Sequence, residues 1–170
     1  MIQETAYKSI LKKRRRELHM RVAESLENLY PEQLNELAPL LGYHYAEGTN
    51  NRQALKYYIK AGDNAYRLYA NALAISHYSA ALEQAKMVPG DALEELAHLY
   101  SRCGRALELE SRFQEATDLY EDELALARQL ESPQLELQAL VSQGTVYSMA
   151  SDQADPVKAE LLSKQALDLA

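Results

Sequence analysis

Tryptophan is absent from this 170-residue chain, phenylalanine and cysteine occur once each, and glycine only six times. A lone thiol, Cys103, cannot close an internal disulfide. His19, His44, His77 and His98 lie too far apart in sequence to resemble a zinc ligand set. No run of about 18 apolar residues occurs and charges begin at Glu4, which excludes a spanning helix and a secretory signal; a cytoplasmic location is expected. No strand alternation is evident either. What the chain has instead is tyrosine, twelve of them, seven between Tyr43 and Tyr78.

Hydrophobic residues make up 47% and charged residues 25%, so the chain can bury a core and does not have a disordered composition. The net charge of -7 is unevenly spread: residues 1–30 hold seven cations and four anions, residues 31–86 five of each, and residues 87–170 six and sixteen. An acidic C-terminal half repels phosphate, so nucleic acid is not an expected partner.

Apolar residues recur at intervals of three and four throughout, which predicts an all-α fold. Turn signals fall at YPEQ (30–33), EGTNN (47–51), YAN (69–71), VPGD (88–91), ESR (110–112), ESPQ (131–134) and SDQADP (151–156). Seven breaks imply about eight helices, and such short connections make consecutive helices antiparallel neighbours. Pro31, Pro89, Pro133 and Pro156 sit in the breaks, where a missing backbone donor matters little. Pro39 requires either a first-turn position, with Asn35 as the cap, or a kink.

Leu41, Gly42, Tyr45, Ala54, Tyr58 and Ala61 share one set of offsets with Tyr100, Cys103, Gly104, Leu107, Phe113, Ala116 and Tyr120. A third copy reads Leu140, Gly144, Tyr147, Ala159 and Ala166, with three extra residues around Pro156. The alternation of small and aromatic positions resembles the tetratricopeptide repeat, in which a small residue lets two helices approach and aromatic rings fill the flanks. On this reading the tyrosines pack; a tyrosine-lined pocket for a small molecule remains the alternative. Ala74, Tyr78 and Ala81 repeat the second-helix pattern only 20 residues after Ala54, so one helix, about 52–69, is expected to serve two hairpins.

The stretch QETAYKSILKKRRRELHMRVAESLENLYPEQLNELAPLLGYHYAEG, with ALKYYIKAGDNAYRLYANALAISHYSAALEQA, resembles the region after the NTPase core in bacterial AAA-like or STAND-type signalling ATPases. Those proteins are often joined to an adenylate or guanylate cyclase or to a DNA-binding domain. The resemblance covers about residues 2–86; the remainder is similar to tetratricopeptide repeats in general. It implies a right-handed α-solenoid, an N-terminal basic helix (residues 1–30) at the junction to an upstream NTPase module, and repeats over residues 31–170. It also implies that the chain is the C-terminal piece of such a protein, the NTPase being one partner and a protein or peptide the other. No G-x-x-x-x-G-K-[ST] occurs, and GDNAYR and CGRALE lack the lysine and glycine pair of a phosphate-binding loop. The segment is therefore expected to be noncatalytic, without cofactor, metal or membrane partner. A regulatory fragment of a cyclase or of an ATP-dependent transcriptional regulator is the alternative, and homodimerisation stays open.

Other candidates for chemistry are weaker. KKRRR (12–16) lies beside an apolar stripe of Tyr7, Leu11, Leu18, Val22, Leu26 and Leu29 and is expected to be a solvated face near the upstream module. Glu121, Asp122 and Glu123 are expected on a solvated surface, since adjacent helical side chains diverge. His98, Ser101 and Cys103 share one helix and form no triad. The groove positions of the second repeat would be His98, Ser101, Arg105 and Glu108, with Arg105 nearly alone as a cation.

Overall fold

The computed structural model describes residues 12–88, 90, 92–149 and 151–170. Within them run eight α-helices and no strand: α1 (Lys12–Leu29), α2 (Ala38–Glu47), α3 (Asn51–Arg67), α4 (Asn71–Ala85), α5 (Leu93–Leu109), α6 (Phe113–Gln129), α7 (Pro133–Ser148) and α8 (Pro156–Leu169). Pro31–Gln33 forms one 3-10 turn between α1 and α2. The sequence breaks locate the ends because their residues cap. Asn50 accepts from the Gln53 amide at 3.2 Å, Ser132 from Leu135 at 3.4 Å, and Asp155 from both Val157 and Lys158. Pro39 does lie in the first turn of α2, but the cap there is Leu37 rather than Asn35. The Asn35 carbonyl instead accepts from the Asn64 side chain.

Four of the connections are one turn repeated. Thr49, Tyr69, Ser111 and Glu131 each take a left-handed φ of 51–63°, although none is glycine. In each, the next amide reaches back five residues: Asn50 to Tyr45, Ala70 to Ala65, Arg112 to Leu107, Ser132 to Ala127. This six-to-one bond is the Schellman closure. Helices joined this way meet in the same register, so offsets in the sequence become contacts in space. Each helix packs on its neighbours in sequence, α3 on both α2 and α4, and only α5 with α7 adds a substantial contact between non-consecutive helices. The apolar residues accordingly form three clusters along the array, about Leu41, about Tyr100 and about Leu162.

Glycine marks the closest approaches. A Cβ at Gly42 would stand 2.7 Å from the Tyr58 ring; at Gly62 it would run into Tyr78, and at Gly104 into the Tyr120 ring and hydroxyl. The spacing is the same in all three, so Gly62 belongs to the series that the sequence reading traced only through Ala74, Tyr78 and Ala81. Gly144 departs from it. The nearest atoms to its Cβ would be 3.8 Å away, and the tyrosine's place, after the three-residue insertion, is held by Ser163. Gly144 is thus buried without being a close-packing position, so it does not share the role of Gly42 and Gly104 that the repeat pattern predicts for it.

Helix α1 packs on the first hairpin through a face that shares only Leu26 with the expected stripe among the described residues. Ala23 and His19 are buried and Met20 and Leu26 half-buried, whereas Leu18, Val22 and Leu29 of the expected stripe are exposed. Tyr7 and Leu11 lie outside the described residues. The reason is polar. Glu27 accepts hydroxyls from Tyr45 and Tyr57, and the His19 and His44 Nδ1 atoms meet at 2.8 Å, which turns that side of the helix inward.

Gly104→Ala forces Tyr120 from its seat and lowers stability by roughly 1–3 kcal/mol, as overpacking does. Gly144→Ala meets no obstacle and raises stability by up to about 1 kcal/mol through helix propensity. Denaturant unfolding of the two variants reads the contrast; equal effects would mean that the two glycines have the same surroundings after all.

Candidate functional site

Helix α3 has two faces. Ala54, Leu55, Tyr57, Ala61, Gly62 and Ala65 are buried against α2 and α4. The opposite stripe, at three- and four-residue steps, carries Lys56, Ile59, Lys60, Asp63, Tyr66 and Arg67. Helix α5, one helix removed, points Glu95, His98 and Arg102 toward this stripe. Three cross-links hold the two rims in place: Arg52 to Glu95 at 2.8 Å, His98 Nε2 to Asp63 Oδ1 at 3.1 Å, and the Arg102 guanidinium 5.1 Å from the centre of the Tyr66 ring. The space left between the rims is an open groove of about 540 Å³, continuous through Lys56 and Ile59 with a second hollow of about 410 Å³.

Asp63 is the fixed point of the groove. Its Oδ1 also accepts the Tyr78 hydroxyl at 2.7 Å, so one carboxylate joins α3, α4 and α5. Burial first, and then that hydrogen bond, push the Tyr78 phenol well above its ordinary pKa, so it stays a donor at any working pH. The groove therefore combines a hydrogen-bonded rear wall with long basic side chains at its edges. Such a surface can hold an extended ligand by charge and shape; it contains no nucleophile activated by a base.

The positions expected from the repeat register divide between groove and framework. His98 lines the groove. Ser101 is exposed on the same helix. Arg105 donates to Glu108 at 2.7 Å, and Glu108 in turn accepts the Tyr120 hydroxyl at 2.8 Å, so these two support packing. The expectation that Arg105 would stand nearly alone as a cation is overturned. The basic residues come from α3, a helix read only as packing, and from Arg102; the signal available in the sequence was the step from Lys56 to Lys60 to Arg67. Cys103 is buried and its thiol is pushed up to about 11, which removes it from nucleophilic chemistry.

A separate hollow of about 570 Å³ lies between α7 and α8 at Gly144 and Ser163, where a packing tyrosine is missing. No group of three or more metal-ligating side chains is found among the described residues, and no helix there is long and apolar enough to cross a membrane. The acidic run of α6 is not a uniform solvated surface. Asp122 accepts the Tyr100 hydroxyl and the Lys86 ammonium, each at 2.6 Å. Glu123 is fully buried; one carboxyl oxygen accepts from Gln138 at 2.8 Å and the other has no hydrogen-bond partner among the described residues. Helical divergence separates neighbours, so one of three adjacent acids could turn inward. Comparison with protein-family models, with curated proteins and with solved structures finds no match.

Burial pushes the Glu123 carboxyl up to about 8 from an ordinary 4.5. The folded chain thus holds a proton that the unfolded chain releases, and this group's contribution to stability is fullest below about 4.5 and is lost as pH rises through about 8. Glu123→Gln keeps the acceptor and removes the titration. The variant is expected to match the parent in acid and to melt at a clearly higher temperature above pH ~8, by the linkage just stated. Parallel melting curves across that range would show that Glu123 is ionised in the folded chain.

Proposed function

We propose that the chain is a noncatalytic, tetratricopeptide-like α-solenoid module that binds a protein or peptide partner in the groove between α3 and α5. The observation that carries this is the groove itself, open and walled by side chains from alternate helices. The repeated Schellman turns and the recurring glycine–tyrosine contact support the solenoid reading, because stacked hairpins in one register generate such surfaces along their length. In the full signalling protein that the sequence resembles, occupancy of the groove would be relayed to an upstream NTPase. The exposed apolar residues of α1, Leu18, Val22 and Leu29, beside its basic run, offer a surface on which that module could dock.

A photo-crosslinking residue at Ile59 is expected to capture the partner, and one at Val157 on α8 is not. Tyr66→Ala, which removes an aromatic wall that also packs against the edge of the core, should weaken the partner about tenfold and lower the melting temperature, while leaving helix content unchanged well below that temperature. Capture from α8 alone would move the binding surface elsewhere. The purified chain is expected to release no phosphate from ATP or GTP and to form no cyclic nucleotide; turnover that survives purification would overturn the noncatalytic assignment.

A further inference from the structure

Beyond α1 the protein has eleven lysines and arginines, five in residues 31–86 and six thereafter. Seven of them lie within ion-pair distance of a carboxylate. The other four are Lys56, Lys60, Arg67 and Arg102, and all four line the groove between α3 and α5. None has a carboxylate partner among the described residues. Arg67 donates to the Asn64 side-chain oxygen at 2.5 Å, Lys56 stands 5.0 Å from the centre of the Tyr57 ring, and Arg102 lies over Tyr66.

Shortage of anions does not explain this, since the chain carries 25 acids against 18 bases. Of the acids at the groove, Asp63 is engaged by the Tyr78 hydroxyl and His98, and Glu95, on the rim, is paired with Arg52. With the Arg52–Glu95 pair cancelling, four cations against Asp63 leave the groove at +3 in a chain of net charge -7. Cations crowded without counter-charges repel one another, and a ligand bearing carboxylates relieves that repulsion while gaining charge-assisted hydrogen bonds. Ile59 and Tyr66, both half-buried, add an apolar strip between the charged rims.

We propose that the groove recognises an acidic segment of a protein partner, with Asp or Glu side chains meeting Lys60, Arg67 and Arg102 and an apolar side chain seated on Ile59 and Tyr66. This rests on the groove being the binding surface. A peptide is favoured over a nucleic acid because residues 87–170 hold sixteen acids against six bases, which a long polyphosphate would have to pass, whereas a short acidic segment stays within the basic groove.

The test uses the intact chain and an array of short peptides graded from strongly acidic to strongly basic, each with and without one apolar residue, together with a single-stranded oligonucleotide. Retained peptides are expected to be acidic and to weaken as salt is raised. The double variant Lys60→Glu, Arg102→Glu should lose at least about tenfold in affinity, with Lys60→Gln, Arg102→Gln as its milder counterpart should the reversal disturb folding. Lys164→Glu, on α8, should bind as the parent does. Retention of neutral or basic peptides that the double variant loses would keep the groove and overturn the acidic class. Binding that neither double variant changes would overturn both readings. Failure to retain any acidic peptide, or tighter binding of the oligonucleotide, would also overturn the proposal.

Discussion

A tyrosine ring seated on a glycine of the preceding helix is the contact on which this protein is built. It occurs at Gly42 and Tyr58, Gly62 and Tyr78, and Gly104 and Tyr120. Glycine inside a helix costs about 1 kcal/mol relative to alanine, so each such position is retained against local preference. What offsets that is the close approach of two helices and the burial of a large ring between them. The contact is short-range in sequence, and the array that follows packs each helix on its neighbours. A structure organised this way has no single centre, and the surfaces between alternate helices stay open. The groove between α3 and α5 is one of them.

Carboxylates complete the arrangement. Phenol hydroxyls from Tyr45 and Tyr57 end on Glu27, that of Tyr78 on Asp63, that of Tyr100 on Asp122 and that of Tyr120 on Glu108. A buried ring with a polar tip needs an acceptor at its end, and an ionised one makes a stronger bond than a neutral one. Part of the acidic surplus of the chain is therefore internal, spent on orienting tyrosines. With those acids engaged, and seven of the eleven bases beyond α1 paired, the four cations of the groove stand apart as the ones in that part of the chain without a carboxylate partner among the described residues. Packing and recognition are linked through Asp63, which anchors Tyr78 from one side and borders the groove on the other.

Helix existence and helix ends were legible in the sequence because both depend on nearest neighbours. Ser132, Asp155 and Asn50 cap where they stand, and prolines mark the turns at 31, 133 and 156. The recurrence of Gly42 and Gly104 with tyrosines at one offset was legible for the same reason, since one turn geometry converts offset into contact. Legibility stopped where a side chain answers to a helix distant in sequence. The inward face of α1 follows from Glu27 meeting Tyr45 and Tyr57, and hydrophobic spacing alone picked Leu18 and Val22 instead. Glu123 stands where the shared offsets place Ala61 and Ala81, yet residue type alone marks it, like Glu121, as a surface acid.

The sequence by itself determined the all-α class, the breaks between helices and the register of the helix pairs that carry the glycine–tyrosine contact. Those properties rest on periodicity, capping and steric size, which act within one or two turns of chain. Only the tertiary structure decided which of Lys56, Arg102 and Arg105 would be left without an anion, which acid would be buried, and that Gly144 would border a hollow while Gly104 lies under a ring. These depend on which groups from separate helices come within a few ångströms of one another. A pattern of residue types does not carry that information, because charge and space are balanced across the array, between helices that are not adjacent in sequence.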